Sequence, residues 1–143
     1  MKKRIIALAC LAAICLGVAQ SPIAHAAVST AASKPPAVRW LNTDAITLSI
    51  SFSSGTAYCS GIIEAYSNTK KIEATFQLLK KNASGGFSAE YTWPKVTVNG
   101  DYLTWSGSRP VSKGVYRLQV TAVVTNKNNV SETIVTYCEK EYK

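Results

Sequence analysis

The sequence predicts an all-β fold, an antiparallel sandwich of seven strands behind a cleavable N-terminal segment. Apolar residues recur at every second position in seven stretches between residues 46 and 138, the period of a strand with one buried face. Turn-forming clusters separate these stretches at regular spacing. Beyond the first 26 residues no stretch sustains the 3.6-residue period of a helix.

Those first 26 residues stand apart. Met1-Lys2-Lys3-Arg4 is basic, and Ile5 to Val18 carries no charge. Gln20, Ser21 and Pro22 break the run, and Ala24-His25-Ala26 places small residues where a signal peptidase reads them. This is the pattern of a secretory signal peptide over residues 1–26. A membrane anchor would need an apolar run of about 20 residues, and this run is shorter. A lipoprotein signal would need a small residue before the modified cysteine, but Ile14 precedes Cys15 and Cys10 comes too early. The product is expected to be secreted, either extracellular or loosely associated with the cell wall, with no membrane span after cleavage.

Cleavage removes the only His, the only Met, Cys10, Cys15 and three basic side chains. The 117 residues that remain carry a net charge of +5, down from +8. Residues 27–39 begin small and polar and contain Pro35-Pro36, which suits a flexible leader. The domain is expected over residues 40–143.

The strands follow in order. Ile46, Leu48, Ile50 and Phe52 alternate with Thr47, Ser49 and Ser51, and Ser53-Ser54-Gly55 turns the chain. The second strand, Ala57 to Tyr66, carries Cys59, Ile63 and small residues on one phase and Tyr58, Ile62, Glu64 and Tyr66 on the other. The third, Lys71 to Lys80, puts Ile72, Ala74, Phe76 and Leu78 on one face. Asn82 to Gly86 is a turn, after which Phe87, Ala89, Tyr91 and Trp93 alternate as a fourth strand. Pro94 cannot donate to a ladder, so it marks a bend that can split this strand before Val96 and Val98. Asn99-Gly100 accepts positive φ and signals a hairpin into the fifth strand at Tyr102 to Trp105. Ser106 to Gly114 reads as an irregular crossing. The sixth strand, Val115 to Thr125, alternates from Tyr116 through Val124. The seventh, Val130 to Cys138, has two readings of its inward phase, because Ile134 and Cys138 share a face with Glu132.

Cys59 and Cys138 remain in an oxidising compartment, where one structural disulfide is expected. In an up-and-down count the start of the second strand and the end of the seventh lie at the same pole, so the topology permits the bond. Closing that loop would stabilise the fold by roughly 4–5 kcal/mol in the chain-entropy model.

Gly114-Val115-Tyr116-Arg117-Leu118-Gln119-Val120 resembles the opening of the sixth strand in immunoglobulin-like domains, where a Gly and a Tyr precede alternating apolar residues. Gly55-Thr56-Ala57-Tyr58-Cys59, Leu78-Leu79-Lys80-Lys81, Trp93, Lys113 to Leu118 and Ser131-Glu132-Thr133 together resemble a group of small secreted single-domain proteins of Gram-positive bacteria without an assigned function. The resemblance spans residues 40 to 138 and implies an immunoglobulin-like β-sandwich. Phe76 replaces the Trp of true immunoglobulin domains, and the cysteines sit on the second and last strands, so no immune-type or adhesive function follows.

Without His, the expected mature chain has no Ser-His-Asp or Cys-His catalysis and no usual zinc site. Glu64 and Glu73 point outward from strands of opposite sheets, and nothing in the spacing favours Asp101 with Glu90, so no glycosidase carboxylate pair is expected. Asp44 and Asp101 are far apart in sequence, which argues against a calcium site. No enzyme activity, cofactor or metal is expected. Lys70-Lys71 and Lys80-Lys81 bracket one strand about 30 Å apart at 3.3 Å per residue and do not form one patch. They read as solvated strand ends that discourage edge pairing. A modest positive charge without interleaved aromatic and basic residues is a poor match to nucleic acid. Asn82-Ala83-Ser84 and Asn129-Val130-Ser131 match the glycosylation sequon but read as turn residues behind a bacterial signal.

Thirteen aromatic side chains exceed what surface chance would place, and most should build the core. Tyr58, Tyr66, Trp93 and Arg117 are the candidate ligand contacts. The functional expectation is a non-enzymatic surface-recognition module whose partner is an anionic cell-wall polymer, a glycan or an extracellular protein. An inhibitor or toxin-like effector acting through Asn82–Phe87 or Ser106–Lys113 is the alternative, and exposed Trp and Tyr would suit a glycan-binding module.

Overall fold

Ile46, Leu48, Ile50 and Phe52 line the inner face of the first strand, as their spacing requires. The structure, a computed structural model, describes residues 39–143. The expected signal peptide, and the expected leader apart from Arg39, lie outside the described residues. Eight strands form among them: β1 Thr43–Ser53, β2 Thr56–Ala65, β3 Thr69–Lys81, β4 Phe87–Thr92, β5 Val96–Asn99, β6 Tyr102–Pro110, β7 Gly114–Asn126 and β8 Ser131–Tyr142. All pairings are antiparallel. One sheet has the order β1-β2-β6; the other runs β4-β3-β7-β8, with β5 also on β3, so Asn99-Gly100 does not close the expected hairpin but carries the chain from one sheet to the other.

Pro94 accounts for the eighth strand. β4 pairs with Gln77–Lys81 and β5 with Lys71–Ala74 on the same edge of β3. Trp93 N–H still donates to the Phe76 carbonyl at 3.0 Å, but Pro94 has no N–H to continue the ladder. The expected fourth strand is therefore one path interrupted once.

The inner faces of β2, β3 and β7 supply most of the core, including Ile63, Ile72, Phe76, Leu78, Leu118 and Val120, all with no exposed surface. On the side where β6 faces β4, rings fill the space between sheets. Phe76 stacks on Trp105 at 3.9 Å, Trp105 meets Trp93 edge-on at 4.9 Å, and Trp93 meets Tyr91 edge-on at 5.1 Å. Two glycines make this stack fit. A Cβ on Gly61 would stand 2.5 Å from the Phe76 ring, and one on Gly107 would stand 2.8 Å from both Trp93 and Trp105.

Gly107 also explains a departure from the sequence expectation. Ser106 to Gly114 was expected to cross irregularly, yet β6 continues to Pro110, paired with β2 as far as Thr56. Its outward residues, Ser106 and Ser108, are small and polar, and its inward residue is glycine, so no hydrophobic alternation betrays the strand. The inward phase of the last strand is that of Ile134 and Cys138. Glu132 shares it because its carboxylate accepts the backbone N–H groups of Leu41 at 2.6 Å and Asn42 at 2.8 Å.

β1, β3, β6 and β8 begin at one end of the sandwich, called the proximal pole; β2, β4 and β7 begin at the other, the distal pole. Buried Asn42 and Asn126 join strands at the proximal pole. Asn42 Nδ2 donates to the carbonyls of Val124 and Val130, and Asn126 Nδ2 donates to Asn42 Oδ1. At the distal pole Phe52 stacks on Tyr142 at 5.0 Å and lies 5.6 Å from Tyr116. The Gly55 N–H donates to Tyr142 Oη.

Candidate functional site

The four candidate contact residues do not converge. Tyr58 lies on the outer face of β2 and is 50% exposed. Tyr66 lies exposed just past the end of β2, at the proximal pole. Trp93 is half-buried in the aromatic stack between sheets. Arg117 lies on the outer face of β7, across the molecule from Tyr58.

Arg117 is already engaged. Its guanidinium sits 4.0 Å from the Phe87 ring centre and 3.8 Å from that of Tyr137, while Nε donates to Glu139 at 3.0 Å. Cation–π contact and ion pairing hold the plane between two rings. The result is a rigid platform that leaves Tyr137 half exposed, with the arginine acting as its spacer.

Around Tyr58 the geometry is more suggestive. The outer face of β1-β2-β6 sets Ser51, Tyr58 and Ser108 in one row and Ser49, Ser60 and Ser106 in the next. These six residues line a shallow trough of about 440 Å³. Adjacent strands stand about 4.8 Å apart, and alternate residues on one strand about 6.7 Å apart. Five hydroxyls therefore form a regular grid beside one exposed phenol. Each hydroxyl both donates and accepts, which matches a polyhydroxylated ligand better than a charged or greasy one. The serines were not among the expected contacts. The available signal was the repeat of Ser49-Ile50-Ser51 in Ser106-Gly107-Ser108, which gains meaning only once β6 is known to reach Pro110.

A second groove of about 380 Å³ opens between β4 and β6. Tyr91 and Arg109 line it, with the guanidinium 3.3 Å from the ring centre, beside Glu90.

The reactive groups stay apart. Glu64 and Glu73 face outward on different sheets, and Asp101 and Glu90 lie in opposite halves of the sandwich. No cluster of three or more His, Cys, Asp or Glu suited to a metal occurs among the described residues. Glu73 accepts Lys71 at 2.7 Å and Lys95 at 2.8 Å. These two hydrogen-bonded ammonium groups hold its carboxyl down at about 2, against an ordinary 4.5.

Cys59 is buried on the inner face of β2, and Cys138 is half-buried on the inner face of β8; both are free thiols. Burial, and then the charge of neighbouring Cys138, push the Cys59 thiol up to about 12. Burial raises Cys138 as well. Both stay protonated at neutral pH, and neither is an activated nucleophile. The structure thus holds two facing thiols where the sequence led us to expect a disulfide. They belong to different sheets, so a bond between them would tie the two sheets together.

No family model matches the chain, and no curated protein matches it in sequence.

Proposed function

We propose that this chain is an exported, non-enzymatic, immunoglobulin-like domain that recognises a polysaccharide of the cell envelope through the outer face of β1-β2-β6. The immunoglobulin-like reading is supported by three strands facing four once β4 and β5 count as one. It is also supported by Tyr116, near the start of β7, whose Oη donates to the Ser112 carbonyl at 2.8 Å. A tyrosine bonded back to upstream backbone at this corner is a hallmark of such sandwiches. Export rests on the basic and apolar pattern of residues 1–26, as does the resemblance to secreted Gram-positive proteins on its short motifs.

The observation that carries the recognition reading is the trough of Ser49, Ser51, Ser60, Ser106 and Ser108 beside exposed Tyr58. An aromatic face stacks on the apolar side of a sugar ring, while hydroxyls on a fixed grid exchange hydrogen bonds with the ring substituents. Affinity electrophoresis through gels containing purified envelope polysaccharide tests this directly. The protein should be retarded, and Tyr58→Ala should lose most of the retardation, about tenfold in affinity. Equal migration of the variant and the parent would sink the reading.

A second reading, an extracellular protein partner, is favoured by one observation. Leu41, 68% exposed, lies with exposed Tyr66 and Val130 at the proximal pole, where Asn42 bonds to the backbone of both neighbours. Retention on a protein fraction that Leu41→Ser abolishes, with no retention on polysaccharide, would select it.

A further inference from the structure

The two halves of the sandwich carry different charge. In the proximal half Arg39, Lys70, Lys71, Lys95 and Lys127 are balanced by Asp44, Glu64, Glu73, Asp101 and Glu132, for a side-chain sum of zero. In the distal half Lys80, Lys81, Arg109, Lys113, Arg117, Lys140 and Lys143 face only Glu90, Glu139 and Glu141, for a sum of +4. All the net charge of residues 39–143 therefore sits at one end. The paired lysines of the sequence gave no such patch, because the other cations arrive from β6, β7 and β8.

Ion pairing leaves most of the distal cations available. Arg117 is bound to Glu139, and Lys143 lies 3.4 Å from Glu141. Lys81, Lys113 and Lys140 are exposed and form no ion pair among the described residues. Lys80 and Lys140 flank Tyr116 in register on neighbouring strands, which sets their Cα atoms about 10 Å apart. Lys80 crosses Gly114, where a Cβ would come within 2.8 Å of its Cε, and its Nζ donates to Ser112 Oγ at 2.6 Å. Its charge is thereby held beside Lys113. Charges separated by about one screening length of roughly 8–10 Å add their fields in physiological salt.

We infer that the distal pole docks a linear phosphodiester polymer of the cell envelope. Lysine is a mobile point charge that suits phosphates of irregular spacing, and of the two guanidinium groups in this half Arg117 is bound to Glu139 and Arg109 is stacked on Tyr91. The partner is not a bilayer, because the exposed aliphatic side chains Leu41 and Val130 lie at the opposite pole and Val135 lies midway along β8. Single-stranded nucleic acid would need aromatic platforms interleaved with the cations; the Phe87–Arg117–Tyr137 platform stands on the outer face of β7, on the opposite phase from Lys80 and Lys140, and tighter binding of DNA is one outcome of the test. The inference shares with the proposed function only the export of the chain, and is independent of the Tyr58 trough.

Titration calorimetry with purified poly(glycerol phosphate) tests it. With three phosphate contacts, affinity should fall about 20- to 40-fold between roughly 50 and 200 mM salt. The variant K81E/K113E/K140E should lose at least about tenfold at fixed salt, and its Lys→Gln counterpart should fall between it and the parent. K70E/K95E/K127E, with the same change of charge, should stay within about twofold. Tyr58→Ala should bind the polymer as the parent does, so failure of the trough and failure of the pole are distinguishable. Equal weakening by the two Glu variants at matched thermal stability would overturn the inference. So would tighter binding to phosphatidylglycerol vesicles or to DNA than to the polymer.

Discussion

At the proximal pole the space between the sheets is closed by hydrogen-bonded side chains, Asn42 and Asn126, that tie β1 to β7 and to the turn before β8. At the distal pole it is closed by rings, Phe52, Tyr116 and Tyr142. The proximal half is electrically neutral and bears exposed Leu41, Tyr66, Tyr102 and Val130; the distal half bears the surplus lysines. Apart from the edge of β3, where β5 pairs in the proximal half and β4 in the distal half, the same strand pairs run through both ends, so backbone pairing does not dictate the difference. It follows from which residues happen to stand at the first and last inward positions. A polar plug orients the segments it joins, because each bond has a direction. An aromatic plug fills volume and leaves its rim open to charge.

The largest expected effect is at the distal pole. Tyr116 is 1% exposed, and Tyr116→Ala should cost about 3–5 kcal/mol in urea unfolding, the loss typical of a buried aromatic side chain. Tyr116→Phe keeps the ring and loses only the bond to Ser112, so it should cost about 1 kcal/mol. If the two variants were equally damaging, the rings would not be what closes that end.

At the proximal pole Asn42→Ala removes two bonds to backbone carbonyls and strips Asn126 Nδ2 of its acceptor. Left unpaired, these buried groups should cost about 1–3 kcal/mol, measured by the same unfolding curves. Leucine at this position should rescue little of it, since volume is not what the site lacks. Full rescue would make the two plugs alike.

The smallest effect concerns charge. Glu73 has a carboxyl pKa lowered by Lys71 and Lys95, so its contribution is present above the ordinary value of 4.5 and disappears as pH falls through about 2. Its midpoint in a carboxyl NMR titration should lie near 2, and Glu73→Gln should barely alter stability at pH 7, because the group is exposed. The same substitution raises the proximal half by one charge and should blur the electrostatic contrast between the poles. A midpoint near 4.5 would mean that the two lysines do not hold it.

Much of this architecture was readable beforehand where one face is buried and the other is wet. The alternation through Ile46–Phe52, Ile72–Leu78 and Tyr116–Val124 predicts strands, and strands they are. The interruption at Pro94 was also visible, since a missing N–H is a local fact. The second half of β6 was not, because Ser106-Gly107-Ser108 buries no large side chain and so leaves no periodic trace. Of the candidate contacts, Tyr58 stands in the trough, Tyr66 at the proximal pole, Trp93 in the core and Arg117 between two rings. An outward phase shows that a side chain leaves the core, but its new neighbours belong to strands far away in the chain.

The amino-acid sequence alone determined that these residues would form two-faced strands, because burial on one side imposes a period of two within a single segment. It also determined the direction in which each strand runs, because short turns reverse the chain. Only the tertiary structure decided that five serines share a grid, that Cys59 and Cys138 become neighbours across the sheets, and that lysines from separate strands crowd one pole. Those arrangements depend on register between segments tens of residues apart, and register is set by how the whole interior packs.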